Sequence, residues 1–468
     1  MPELDLLVTD GTVVTADWAA AASVGISSGK IVYLGTARLA PSARVVLPVP
    51  GLTVLPGVID AHVHYRDPGM PRKESFRTGS LASAVGGVTS IVDMPNTDPP
   101  PVDDASLRAK LEQIEERGSF VDYGVCGLIQ HGTTPRQVDA MLAAGACGLN
   151  VFTDVAIFGA EPPDTGEFFH LLKSTSTTAP IGFLPETQAL VSAERTIRAT
   201  DCARERWLGS RVVEAENHSI SSFLALANGA KKPLHVNHLS SGEGLNSIRR
   251  SRGLGTRVSC ETSPHYLYFG RHDIDSRHRL APISPPLRTA GDQQVLWAGV
   301  RDGSVDIVVS DHAPHESAEL DRADLWHPSV TGFSGAELLV PTLLNAVHRG
   351  DLDLHQLVRA TSANPSRLFG WSPCKGSIAP GADGDLTIVD LQWTKVVDSR
   401  DLHSQGKLTP FDGMQLTGWP RFTIVRGEIV VAEGEVRVAQ PTGRNILSHA
   451  TNTSGRVAER VVQSSHGS

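Results

Sequence analysis

The stretch Gly57-Val58-Ile59-Asp60-Ala61-His62-Val63-His64-Tyr65-Arg66-Asp67-Pro68-Gly69 runs from an apolar strand into a polar turn and places two histidines at the junction. Residues two apart on a strand point to the same face. His62 and His64 therefore converge on one point. Two neutral imidazoles at one point suit zinc or a related ion, while a pair of strand-end histidines without metal is the plainer alternative. Around this stretch, apolar strand-like runs alternate with helical ones. The candidate strands are Leu52–Asp60, Ser90–Met94, Val121–Ile129, Ala146–Phe152, Ile181–Glu186, Leu234–Leu239, Arg257–Glu261 and Val305–Asp311. Helical segments such as Asp103–Glu116, Thr134–Ala144 and Gln293–Arg301 lie between them. Eight such units suit an α/β (β/α)8 barrel, and spacing alone also permits an open doubly wound sheet.

Outward from this core the texture changes. Residues 1–55 read as short strands with turn signals at Asp10-Gly11 and Ser28-Gly29, and residues 373–440 return to short strands. The economical reading is one small β-sandwich built from both ends of the chain, flanking a barrel over 56–372. Residues 441–468, rich in Ser, Thr, Asn and Gly, read as a flexible tail.

The chain has 468 residues, of which 40% are hydrophobic and 20% charged, with a net charge of −9. That is the composition of a soluble globular protein with ample material for a large core. No basic block points to nucleic acid. No secretory leader and no apolar run of about 18 residues is present, so no membrane span is expected. The five cysteines form no CxxC pair and read as reduced thiols of a cytoplasmic protein.

Two further clusters can carry chemistry. In Val308-Val309-Ser310-Asp311-His312-Ala313-Pro314-His315, Asp311 follows an apolar strand. It can ligate a metal, act as general base toward water, or simply cap the next segment. In Leu234-His235-Val236-Asn237-His238, His238 sits at a strand end facing the barrel mouth, or is a hydrogen-bonded core residue; His235, of opposite parity, is expected to pack or face helices.

The opening stretch resembles the first motif of dihydroorotases. So do Lys73-Glu74, Thr78-Gly79, Gly86-Gly87-Val88-Thr89 and Asp93-Met94-Pro95-Asn96-Thr97. Ser263-Pro264-His265-Tyr266-Leu267, Pro285-Pro286-Leu287-Arg288, Asp311-His312-Ala313-Pro314-His315 and Gly332–Glu337 resemble the pattern shared by dihydroorotases, allantoinases and hydantoinases of the amidohydrolase superfamily. The resemblance spans roughly residues 5–435 and selects the barrel over the open sheet. It implies that His62, His64 and Asp311 bind one zinc or other divalent ion, with Asp311 also shuttling the proton, and that His238 binds a second. It implies further that Arg66, Asn96 and His315 hold a substrate carboxylate, for which a guanidinium fork, an amide and an imidazole are suitable donors. Were the carboxylate reading wrong, Arg66 would pair with Asp67 or Glu74.

The sequence departs from this family at two positions. The lysine that carries a bridging carbamate in two-metal members is matched by Asn150, whose amide cannot form one. The fifth-strand histidine is matched by Leu184 in Phe183-Leu184-Pro185-Glu186, leaving Glu186 as the one replacement ligand within reach. The expectation is a cyclic amidohydrolase using a hydroxide on a single ion, with Asp311 passing the water proton to the departing nitrogen. Backbone groups of the Ser263–Leu267 and Ser284–Arg288 loops would hold the ring. Competing readings are a non-catalytic partner subunit and a ring-closing or lyase enzyme using the same pocket. The resemblance also suggests a small-molecule substrate and a homodimer or homotetramer.

Overall fold

The computed structural model describes residues 3–153, 156–276, 282–320 and 330–446. Eight strands form one parallel sheet in sequential order: β1 (Val58–Val63), β2 (Val88–Asp93), β3 (Asp122–Leu128), β4 (Ala146–Val151), β5 (Ile181–Phe183), β6 (Leu234–Val236), β7 (Val258–Thr262) and β8 (Ile307–Val308). The sheet curls until the chain following β8 meets β1. There His312 bridges to Val63, and the His64 amide donates to the His312 carbonyl at 2.8 Å. This is the expected (β/α)8 barrel.

Alternation along the strands sorts side chains into two layers. Ile59, Ala61, Val92, Met94, Cys126, Cys147, Ile307 and Val309 form one buried cluster with Phe369 and Trp371. Their strand neighbours Val58, Ile91, Val125 and Val308 belong to a larger cluster with helix residues such as Leu107, Ile114 and Met141. The connecting helices start cleanly. Ser75, Asp103, Thr134, Asp164 and Thr289 each close a capping box with the residue three positions on, each cap contributing about 1 kcal/mol.

The expected strand Leu52–Asp60 is in fact two elements. Thr53–Pro56 pairs antiparallel with Leu386–Val396, and β1 begins only at Val58. Gly57 makes the joint, where a Cβ would meet Thr89 Oγ1 at 2.3 Å and Asp385 Cβ at 2.6 Å. The sheet that receives Thr53–Pro56 has seven strands, in the order Glu435–Val436, Glu428–Ala432, Gln415–Val425, Leu386–Val396, Thr53–Pro56, Thr12–Val14, Ala19–Ala21. A four-stranded sheet, Lys30–Gly35, Ser23–Ser27, Leu4–Thr9, Ala43–Pro48, faces it. Leu6, Val8, Val24 and Ile26 of the smaller sheet share a core with Val13, Val54, Leu386 and Ile424 of the larger. This is the sandwich formed from both ends of the chain.

Residues 441–446 lie along the start of β3, where Tyr123 N–H donates to Arg444 O at 2.9 Å and Ile446 N–H to Tyr123 O at 2.7 Å. The rest of the expected tail, 447–468, falls outside the described residues. Among the described residues, no helix is long and apolar enough to cross a membrane.

Barrel and sandwich meet through one buried cation. Lys375 Nζ lies 2.5 Å from Asp122 at the start of β3, and 2.6 and 3.0 Å from Asp385 and Asp383 beside the sandwich strand Leu386–Val396. Arg426 also pairs with Asp122. The three carboxylates come close enough to suggest a cation site, but Lys375 already fills that role. Lys375→Ala leaves buried carboxylates without their counter-charge and is expected to cost about 3–5 kcal/mol. Urea unfolding checks this through a lowered midpoint, and an unchanged midpoint contradicts it.

Candidate metal centre and substrate pocket

His62 and His64 leave β1 pointing the same way, with their Nε2 atoms 3.2 Å apart. Asp311 Oδ1 lies 3.6 Å from His62 Nε2 and 3.3 Å from His64 Nε2. Donors about 2.0–2.2 Å from a tetrahedral ion stand about 3.3–3.5 Å apart. The observed triangle therefore fits a single ion held by these three side chains. Each imidazole is oriented from behind. His62 Nδ1 donates to Glu261 Oε1 at 2.5 Å, and His64 Nδ1 donates to Asn96 Oδ1 at 2.6 Å. Both bonds place a proton on Nδ1 and turn Nε2 toward the site.

The electrostatics follow from these partners. Burial disfavours charge on His62, but the Glu261 carboxylate outweighs it and raises the imidazole to about 9. For His64 burial, joined by the charges of Arg66 and His62, outweighs the Asp311 carboxylate and lowers the imidazole to about 4. Asp311 is also buried, yet the bond to His64 and the charges of His62 and His238 hold it well below the usual carboxylate range.

Three residues of the site adopt left-handed backbone just past a strand end: Arg66 (φ 56°), His238 (φ 27°) and Asp311 (φ 50°). Such conformations are costly for residues other than glycine and persist where neighbouring structure enforces them. The turn at His238 corrects the expected parity of the sixth strand. β6 ends at Val236, and beyond it alternation no longer holds. His235 faces inward, its Nε2 3.0 Å from Glu261 Oε2, and does not pack against helices. His238 also reaches the site, with its ring 5.2 Å from that of His62 and its amide donating to Glu261 Oε1 at 3.1 Å.

The positions that would hold a second ion are engaged elsewhere. Asn150 is buried. Its Oδ1 accepts from Asn237 Nδ2 at 3.0 Å and from the Val151 amide at 2.9 Å, and its Nδ2 faces Met94 Sδ at 3.2 Å. Leu184 joins an apolar cluster with Leu128, Phe152, Ile157 and Ala160. Glu186 pairs with Arg211 and accepts from Ser284 Oγ at 2.5 Å, so it does not substitute for the lost ligand.

A cavity of about 240 Å³ opens onto His64, Asp311, Arg66, Asn96 and His238, with Leu184, Ile283 and Ser284 also in its wall. Arg66 is only 8% exposed. Neither alternative partner takes it: Asp67 pairs with Arg117 at 3.1 Å, and Glu74 bonds His312 and Ser404. Among the described residues Arg66 forms no ion pair, and its Nε has no hydrogen-bond partner. Burial alone lowers this guanidinium to about 10. His315 Nε2 donates to Thr331 O at 2.9 Å, and its Nδ1 lies 3.3 Å from Glu319. Thus Arg66 and Asn96 line the cavity together, while His315 is not among its lining residues. Of the two loops expected to hold the ring, only the second contributes to the wall, through Ser284; Pro264–Tyr268 is a short helix. His265 on that helix is buried with neither ring nitrogen partnered, and its ring meets Phe333 edge-on at 5.0 Å.

Sequence reasoning did not single out Glu261, Arg195 or Arg211. Glu261 acts on partners far away in sequence, and the two arginines follow no motif.

A barrel with this metal triad at its strand ends defines a class of metal-dependent hydrolases. The amidohydrolase family model matches residues 53–159 and 225–430. The dihydroorotase of Methanothermobacter thermautotrophicus is 34% identical over 88% of this chain and 92% of its own. The allantoinase of Rubrobacter xylanophilus is 35% identical over 95% of this chain and 98% of its own. The L-hydantoinase structure from Arthrobacter aurescens superimposes with a TM-score of 0.89 at 30% identity, covering 94% of this chain and 99% of that one. The chain belongs to the amidohydrolase family, in its branch of hydrolases acting on cyclic amides.

Because His62 keeps its second proton up to about pH 9 in the ion-free protein, ion binding must displace it. Loading with zinc at pH 7.5 is expected to release about one proton per chain, with affinity weakening as pH falls. Calorimetry in buffers of different ionisation enthalpy measures this, and zero release contradicts it. Glu261→Gln removes the orienting carboxylate and is expected to weaken ion affinity about 10–100-fold, read by competition with a chelating dye.

Proposed function

We propose that this chain hydrolyses the C–N bond of a cyclic amide, imide or ureide bearing a carboxylate, using one divalent ion, zinc or a similar metal. The observation that carries the reading is one cavity in which His64 and Asp311, with His62 behind them at 3.6 Å from Asp311, share the wall with the buried Arg66, which forms no ion pair among the described residues. His62, His64 and Asp311 would hold the ion, with His238 placed to complete its protein shell. When bound, such an ion acidifies water and polarises the amide carbonyl. Asp311 accepts the proton of the attacking water and delivers it to the ring nitrogen as the C–N bond breaks. Arg66 and Asn96 orient the substrate carboxylate. The one-ion stoichiometry is supported by the engagement of Asn150, Leu184 and Glu186 described above. On this reading residues 56–372 are the catalytic unit, with the sandwich as its buttress.

Elemental analysis and turnover of dihydroorotate, allantoin, hydantoins and cyclic imides test the proposal together. About one ion per chain is expected, lost with turnover in His62→Ala/His64→Ala. Two firmly held ions per chain would refute the one-ion account. An ion-loaded protein that turns over no cyclic amide would refute the activity. Arg66→Ala is expected to raise KM for a carboxylate-bearing substrate by about tenfold or more, the range of a charge-assisted bond. Asp311→Asn is expected to bind ligand without turning it over.

A further inference from the structure

The family model leaves residues 160–224 unmatched. His62, His64, Arg66, Asn96, His238 and Asp311 all lie in matched stretches. Part of the same cavity wall comes from the unmatched one: Leu184, Gln188, Arg195 and Arg211. Two short helices, Gln188–Ile197 and Ala203–Ser210, pack on each other after β5 and carry this wall. On the first, Gln188, Val191 and Arg195 share a face by helical spacing. Val191 is buried, which turns Gln188 and Arg195 toward the cavity.

The two arginines differ in their charge balance. Arg211 is neutralised by Glu186, donates to Ser284 Oγ at 2.7 Å and lies over the Trp207 ring at 4.3 Å. It is held in place as a fixed donor. Arg195 is half-buried at the cavity and makes no ion pair among the described residues. The cavity thus presents a second uncompensated guanidinium in addition to Arg66. Phe152, Ile157 and Leu184 supply apolar surface in the same wall, suited to methylene groups.

We propose that the substrate carries a second anionic group, a carboxylate on a short aliphatic substituent remote from the cleaved bond, and that Arg195 with Gln188 forms the subsite that selects it. This rests on the function proposed above and adds a specificity determinant to it. Arg195 acts in binding and takes no part in the proton transfers.

The test uses the ion-loaded full-length protein and two cyclic ureides with the same ring and ring carboxylate. One carries a propyl substituent, the other a 2-carboxyethyl substituent. Dissociation constants come from calorimetry and kcat and KM from ring-opening assays. The diacid is expected to bind about tenfold tighter or more, with the difference in KM rather than kcat. The diacid-to-monoacid ratio should shrink with added salt, fall toward one in Arg195→Ala, invert in Arg195→Glu and survive largely in Arg195→Lys. A ratio near one in the native protein, or one unchanged in Arg195→Ala, overturns the inference. Equal turnover of both ureides does so while leaving the proposed activity intact. Should neither be turned over, the calorimetric ratio still decides the subsite, and the wider substrate set above decides the activity.

Discussion

The seam where the barrel closes is the constraint on which the site depends. Ser310 N–H donates to Asp60 Oδ1 at 2.9 Å, and the His312 carbonyl accepts from the His64 amide. His312 is fixed again through its ring, which accepts from the Gly335 and Ala336 amides and bonds Glu74 at 3.2 Å. Asp311 lies between two pinned neighbours, and left-handed backbone is the conformation that connects them. The same bonds set β1 against the chain after β8, which brings His62 and His64 to Asp311, distant in sequence. Closing the barrel and assembling the metal triad are therefore one event. Loss of the seam would separate the ligands without changing any of them.

Glu261 extends this coupling to the next strands. Placed near the end of β7, it accepts from His62, His235 and the His238 amide. Three donors explain how its buried carboxylate stays ionised, since hydrogen bonds and the His62 charge outweigh desolvation. In turn it fixes the orientation of the His62 ring and the left-handed turn at His238. One side chain thereby orients His62 from β1 and positions His238 after β6.

What the sequence revealed follows from the range of the forces involved. The His62/His64 pair was legible because strand alternation is local, and Asp311 because an acid after an apolar run marks a strand end. The eight β-α units were visible for the same reason. Alternation failed where the backbone leaves the strand, so His235 and His238 could not be assigned to faces from parity. Leu52–Asp60 looked continuous because apolar residues on both sides of Gly57 fit either sheet; the joint is set by Thr89 and Asp385, distant in sequence. Glu261 resembled an ordinary strand carboxylate until its three donors were seen. Arg195 and Arg211 belong to a helical insertion with no motif, and their meaning depends on where β5 directs it.

Asn150, Leu184 and Glu186 belong to one packed wall. Asn150 exchanges a metal-bridging role for bonds with Asn237 and the Val151 amide, so neither buried amide is left without a partner. Leu184 closes an apolar cluster that an imidazole would interrupt with a polar edge. Glu186, the carboxylate that remains at this strand end, is committed to Arg211, which in turn is braced by Trp207 and Ser284. These substitutions support one another. A lysine at position 150 alone would meet Met94 and Asn237, with a leucine still occupying the place of its partner ligand. The packing of this wall gives that side of the cavity apolar surface and arginine.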